Sequence, residues 1–472
     1  MSISSVSSGI RRFMQRLQSG QLSGVSTQHR QGDRRQGQHC HHGRRSQAIW
    51  PNIRLILAAL IAVFLTTACS KGSSAPPPSG GASVVAGENR ATVTWAATPG
   101  VEYWLFYAPA DSISTSNWST IPGSHVIVNA VSPQIVPGLV NGVTYSFTLN
   151  GRTNGGPGGP GTPSVSAMPR IAGAVWSAGS PLGLNDLRAV AVGTVTTVTT
   201  VTTVGTEYVA VGAGGAMYSS SDGMTWAPIN FTTSNNLYGA VYSGAYMAVG
   251  AGGTMLYSTD TVTWAPEPTG TTNDLYAIAS NGSNLVVAVG ASGTIIISAD
   301  GKTWFPAASS GTTNNLYGVT YTPGGIWVAV GAGGTIVTSI DGTNWQTVTS
   351  NTTADLKGIV FGYSDVTLGT TTLVAVGAAG TMVTSTDGVT WTLQTPLSAG
   401  ALNAVTYGSI YSSQFVSVGD NGAIFTSTNG TSWTAQSSTS VKNLYGIVHA
   451  GIGYPVTGYS VVGAGGTNLF SQ

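Results

Sequence analysis

The sequence predicts an all-β protein, a small two-sheet sandwich followed by a ring of seven four-stranded repeats. Composition is the first reason. Only 7% of the 472 residues are charged and 65 are Gly, and a chain rich in Gly, Ser, Thr and Val suits short strands and tight turns better than helices. The second reason is periodicity: Trp226, Trp264, Trp304, Trp345, Trp391 and Trp433 are spaced by 38, 40, 41, 46 and 42 residues, and each interval holds about four strand-like runs. The third is punctuation. VGAGG, VGAGG, VGASG, VGAGG, VGAAG, VGDNG and VGAGG close seven successive Val-rich runs.

Charge is segregated along the chain. Nine Arg and one Asp precede Cys69, whereas from Cys69 onward fifteen Asp or Glu outnumber eight Lys or Arg. The part after Cys69 is therefore acidic, which argues against a nucleic-acid partner.

Residues 55–68 read LILAALIAVFLTTA, preceded by Arg54 and followed by Cys69 and Ser70. A positive flank, an apolar run and small residues at the cut are the order of a secretory signal. The 14 apolar or small residues fall short of the ~20 that a membrane span needs, which argues against a retained anchor. The segment resembles a bacterial lipoprotein signal peptide, with Ala68 before the Cys as in that family and Thr66 where the family usually has Leu. The resemblance implies that residues 49–68 are the signal peptide and that Cys69 becomes the acylated first residue. Ser70, in place of Asp, then implies sorting to the outer membrane, on its periplasmic or its outer side. Residues 1–48 read as disordered or as sequence upstream of the true start. His39, Cys40, His41 and His42 could be taken for a metal site, but no packed core surrounds them, and no metal or other cofactor is expected. With the signal removed Cys69 is the only Cys, so no intrachain disulfide can form. Residues 69–82, rich in Ser, Pro and Gly, cannot bury enough apolar surface to order themselves and read as a tether.

Residues 83–169 alternate short apolar runs, among them ATVTW and VEYWLFYA, with turn residues. Leu139, Asn141, Gly142 and Tyr145 resemble the tyrosine corner of fibronectin type III domains. Trp95 stands where that family buries a Trp on its second strand, and a Pro/Gly-rich loop follows in the right order. The resemblance implies a spacer that lifts the next domain off the membrane.

Residues 170–472 hold the repeat, and its period and strand-like runs are those of β-propeller blades. In one blade, NNLYGVTYTPGG is a first strand and turn, IWVAVGAGG a second, TIVTSIDG a third and TNWQTVTS a fourth. A phosphate-cradling Gly loop would be expected once, between a strand and a helix; Gly recurring in every blade marks hairpin turns that need positive φ. Ser and Asp or Asn recur likewise, as Asp222, Asp260, Asp300, Asp341, Asp387 and Asn429, each four residues before the blade Trp. A short carboxylate there accepts hydrogen bonds from its own turn. The pattern resembles the Asp-box of sialidase-like BNR repeats, one residue shorter than the common spacing, and the resemblance implies a structural role away from any active site. The propeller also looks like those of photosystem II assembly factors, which act as scaffolds. Three strand-like runs follow Trp433, and GAVWSAGS at 173–180 matches a fourth, so the N-terminal segment should close the seventh blade and remove two exposed edges. TVTTVTTVTTV at 194–204 reads as an elongated hairpin in the first blade.

Catalytic groups are scarce between Gly173 and Gln472: one Arg, Arg188, two Glu, Glu207 and Glu267, and one His, His449. The arginine triad of sialidases is absent. Asp186, Asp274 and Asp355 precede first strands at equivalent places and could face one another, but turn capping is the simpler role for them. The informative positions vary inside an otherwise constant repeat: after the recurring Leu stand Arg188, Tyr238, Tyr276, Tyr317, Lys357, Asn403 and Tyr445. Because packing does not dictate them, they should ring the mouth of the central channel as a binding surface. The chain thus reads as a monomeric, non-enzymatic outer-membrane lipoprotein whose propeller head binds or assembles a protein. The alternative is a polysaccharide-binding or carbohydrate-active propeller of glycosidase or lyase type. If Cys69 is acylated, Cys69→Ala should lose incorporation of an alkyne fatty acid in metabolic labelling; a variant labelled as strongly as wild type would refute the assignment.

Overall fold

The computed structural model describes residues 72–471, apart from 199–201, 232, 366–368, 399, 409–412 and 451–457. The signal segment, Cys69 and the His39–His42 cluster lie outside the described residues, as does the middle of the 194–204 hairpin. Strands and short 3-10 turns make up the regular structure, with no α-helix among the described residues. No helix among them is long and apolar enough to cross a membrane.

Two antiparallel sheets come first. One holds Ala82–Gly87, Arg90–Trp95 and Gln134–Pro137; the other is built on Glu102–Ala108, His125–Ala130, Tyr145–Thr153 and Val165–Ala167. Alternate residues of both, Val93 and Trp95 from the first and Leu105, Phe147 and Leu149 from the second, share one core. Trp95 meets the edge of Tyr103 at 5.8 Å between ring centres, and the Tyr145 hydroxyl accepts the backbone N–H of Val140 at 3.3 Å. Within the expected tether, Ser73–Ala75 form a strand paired with Gly151–Thr153. The expectation weighed side-chain burial alone, whereas an edge strand is held by main-chain hydrogen bonds that Ser and Ala supply as well as Val. Pro76, Pro77 and Pro78 then end the ladder, because Pro has no N–H to donate.

Seven four-stranded antiparallel sheets follow, each ordered first, second, third, fourth. Their first strands are Leu187–Val198, Leu237–Tyr242, Leu275–Ser280, Leu316–Tyr321, Leu356–Asp365, Leu402–Gly408 and Leu444–Ala450. In the last sheet the fourth strand is Ser177–Ala178, which pairs with Phe470 and Leu469. Gly173 N–H donates to Ser471 Oγ at 2.7 Å and Trp176 Nε1 to the Gly173 carbonyl at 2.8 Å. Within a single sheet the same pair of bonds joins Gly301 to Ser298 at 2.8 Å and Trp304 to Gly301 at 3.2 Å. The turn of the seventh sheet is thus assembled from two distant parts of the sequence.

Second strands are buried on both faces, and their side chains alternate between two neighbours as the two-residue strand period requires. Tyr246 and Ala248 pack with Val209 and Val211 of the first sheet, while Met247 and Val249 pack with Leu275 and Ala288 of the third. Val462 of the seventh sheet packs with Leu187, Val190 and Ala210 of the first. Burying each such Val or Leu side chain contributes about 1.5–3 kcal/mol.

The VGAGG glycines have three separate causes. Gly250 has an extended φ of −166° that any residue could adopt, but a Cβ there would overlap the Asn236 carbonyl oxygen at the start of the first strand. Gly253 needs its positive φ and is also pressed against the Thr271 carbonyl. Gly252 lies at φ 62° in open space, so Ser292, Ala379 and Asn421 occupy its equivalents, at φ 53°, 51° and 57°. Positive φ alone, the expected cause, accounts only for the last two places. Gly252→Ala should therefore cost about 1 kcal/mol or less, while Gly250→Ala should cost about 1–3 kcal/mol through overpacking. Chemical denaturation of the two variants measures the difference.

Candidate functional site

Each first strand begins with a β-bulge. Leu237 pairs with Gly250 and Gly239 with Val249, so Tyr238 is the extra residue left out of register. The same shift singles out Arg188, Tyr276, Tyr317, Lys357, Asn403 and Tyr445. Bulges re-aim a side chain out of the alternation that the pleat imposes. Here the seven half-buried side chains converge on one cavity of about 250 Å³. The sequence pattern named these residues; the bulge that turns them inward has no sequence signature beyond the small residue that follows. That small residue has its own cause, since a Cβ on Gly239, Gly358 or Gly446 would crowd the backbone of the next first strand.

The rim is asymmetric. Tyr238, Tyr276 and Tyr317 form an arc with successive ring centres 5.5 Å apart and planes tilted by 52° and 53°. Burial first, and then Asp274 and the flanking tyrosines, pushes the Tyr276 phenol up, so it is a hydroxyl donor at neutral pH. At one end of the arc the Arg188 guanidinium sits 4.2 Å from the Tyr445 ring centre and 3.0 Å from the Asp186 carboxylate. At the other, Lys357 Nζ donates to the Asn403 amide oxygen at 2.9 Å, and Asn403 Nδ2 donates to Asp420 at 3.0 Å and to the Leu444 carbonyl at 3.0 Å.

The carboxylates beside the mouth are engaged by backbone. Asp274 Oδ1 accepts the N–H of Gly252, Asp355 that of Gly333, and Asp186 that of Gly465, at 2.8–3.0 Å. Asn236, Asn315 and Asn443 make the same bond to Gly214, Ser292 and Asn421. Each residue therefore clamps the VGAGG turn of the preceding sheet, and Asp alternates with Asn because only a side-chain oxygen is required. Alignment of the residue before the recurring Leu, with its mixture of Asp and Asn, could have identified this role from sequence. Ala401 lacks such an oxygen; there Asp420 in the turn accepts the Ala401 N–H at 3.1 Å.

The other Asp set lies at the far end of the strands: Leu237 pairs with Gly250 beside the mouth, whereas Tyr242, Tyr246 and Ser258 align at the opposite end. Ser258 leads into the turn of Asp260. Asp300 Oδ1 accepts the N–H groups of Lys302 and Thr303 at 2.9 and 2.7 Å, and Ser298 Oγ accepts that of Gly301 at 2.8 Å. Asp222, Asp260, Asp341 and Asp387 repeat this, and Asn429 does so with its amide oxygen. These backbone bonds hold the Asp300 and Asp341 carboxyls well below the usual range and lower Asp387 to about 2. Burial opposes the shift at Asp222 and Asp260, and the hydrogen bonds outweigh it. No group of three or more His, Cys, Asp or Glu suited to a metal ion occurs among the described residues.

The DUF6242 beta propeller domain family matches residues 268–404. Among solved structures, YCF48 bound to D1 peptide is similar over 65% of this chain and 99% of its own, at 19% identity and a TM-score of 0.50. YCF48 from Cyanidioschyzon merolae matches over 63% and 99%, at 17% identity and a TM-score of 0.49. A streptogramin B lyase matches over 63% and 97%, at 12% identity and a TM-score of 0.50. No curated protein matches. The chain carries a β-propeller domain, and the likeness to these structures is one of fold.

A carboxyl whose folded pKa lies below its unfolded value contributes stability above that unfolded value and loses it as pH falls through the folded one. Thermal stability should therefore drop as pH falls from near 3.8, the ordinary Asp value, toward about 2, the value at Asp387. Replacing Asp300, Asp341 and Asp387 together by Asn, which keeps the acceptor as Asn429 does, should flatten that drop in melting curves recorded against pH.

Proposed function

We propose that the chain is a non-enzymatic binding or assembly lipoprotein with a seven-bladed propeller as its recognition head and a protein as its partner. One observation carries the binding reading: seven bulges turn the variable residues of the repeat onto the rim of a single cavity while the packing around them stays constant. Tyr and Arg are the residues that most often anchor interfaces. The engagement of Asp186, Asp274 and Asp355 by backbone N–H groups speaks against the glycosidase alternative, which needs two opposed carboxylates free to act.

The remaining parts of the reading have separate support. Pairing of Ser177–Ala178 with the last sheet favours seven blades closed at that strand, in a monomer. The strand order of the sandwich and the bond between Val140 and Tyr145 favour a fibronectin type III spacer. The Ser, Asp and Trp turns favour Asp-boxes of the BNR kind. Acylation at Cys69 and an outer-membrane location rest on the sequence. YCF48 has been seen with a D1 peptide; at 19% identity that likeness brings no partner to this chain.

Pull-down from intact cells with residues 70–472, which keep the Ser73–Ala75 strand, would supply a partner. Tyr238→Ala, Tyr276→Ala and Tyr317→Ala should then each cost roughly 1–3 kcal/mol of affinity with little change in melting temperature. Variants that bind normally but melt early would make the arc packing and refute the reading.

A further inference from the structure

The geometry points to a phospholipid surface as the partner of one end of the sandwich, held there because almost no free chain separates that end from Cys69. The inference rests on acylation of Cys69 and names where the acyl group places the rest of the chain. Ser73–Ala75 pair with Gly151–Thr153, and only Ser70, Lys71 and Gly72 stand between Cys69 and that ladder. Gly72 is itself closely fitted, since a Cβ there would overlap the backbone of Gly156 and Asn154. From Cys69 to Gly72 the chain spans about 10 Å at full extension. A free tether over residues 69–82 would instead reach about 45 Å and leave the orientation of the sandwich open. Chain length thus selects the occupant, because an acyl group seated in a bilayer brings the headgroups to this end before any other partner.

Strand register fixes which end this is. Tyr103 pairs with both Gly151 and Ala130, and Trp95 N–H donates to Ser132 Oγ at 2.9 Å. The turns that follow Trp95, Ala130 and Thr153 therefore gather where Ser73 enters. The chain leaves for the seven sheets at the opposite end, where Tyr145 pairs with Ala167 and Arg170 N–H donates to the Gly87 carbonyl at 3.3 Å. The strand Tyr145–Thr153 separates the two ends by about 25–30 Å. They also differ in charge. At the Ser73 end residues 96–100, Val131, Pro133, Asn154 and Gly155 are exposed and uncharged, whereas Glu88, Arg90 and Arg170 stand at the exit. The charges nearest the Ser73 end, Glu102 and Arg152, are half-buried, and the Arg152 guanidinium lies over the Trp104 ring at 3.5 Å. An end without exposed charge meets headgroups without stripping water from an ion, and Val131, 71% exposed, gains cover there.

Bimane fluorescence tests this on the full chain, extracted from membranes and reconstituted in vesicles of phosphatidylethanolamine and phosphatidylglycerol that carry a nitroxide on the lipid headgroup. Acylated Cys69 offers no thiol, so Val131→Cys and Val140→Cys each supply a single labelling position, exposed and at opposite ends of the sandwich. The label at Val131→Cys should lose most of its emission to the nitroxide, and the label at Val140→Cys should keep most of its own. Inserting about 30 Gly and Ser residues after Lys71, a flexible span of roughly 30 Å, should remove most of that difference. Melting curves report whether each variant is folded. Equal quenching of the two labels, an unquenched Val131→Cys label on vesicle-bound protein, or a difference that survives the insertion would each overturn the inference and leave the lipoprotein reading standing. Wild-type protein that fails to float with the vesicles would take both down.

Discussion

The second strand of every sheet is buried on both faces, and the rest of the structure depends on covering it. Trp327, Val328, Ala329 and Val330 are all buried, the odd and even members of the run in different cores. A strand of this kind cannot stop at a free sheet face, because exposing either set forfeits the burial that orders it. Every sheet therefore needs a neighbour on each side. The packing of Val462 against Leu187 and Ala210 meets that need for the last sheet and the first.

Close packing of sheets also explains where variation is allowed. Toward the axis the first strands come so near one another that only Gly or Ala follows each bulge. The second strands are buried on both faces, and the turns must keep glycine at the two places pressed against a carbonyl oxygen. What escapes these constraints is the bulged residue, whose side chain leaves the pleat and enters open space. A variable rim and a fixed scaffold thus coexist within each first strand.

Much of this was legible in the sequence, and the reasons differ from part to part. The Trp spacing and the Val-rich runs located the sheets because a two-residue period and a repeat of about 40 residues leave direct marks. The mouth residues were legible by contrast, as variation set against a constant background. The bulges were not, since an extra residue in a strand alters hydrogen-bond register without altering composition. Nor was the ladder of Ser73–Ala75, which depends on backbone groups that every residue carries. The shared role of Asp186 and Asn236 was visible only when Asp and Asn were read as one acceptor.

The composite turn that joins Gly173 and Trp176 to Ser471 has a mechanical consequence. Sequence connects the sandwich to the seven sheets through this one segment, so any pull transmitted along the chain from the N-terminal side arrives at Gly173. The load meets a two-residue strand, a glycine N–H held by one hydroxyl and a buried indole.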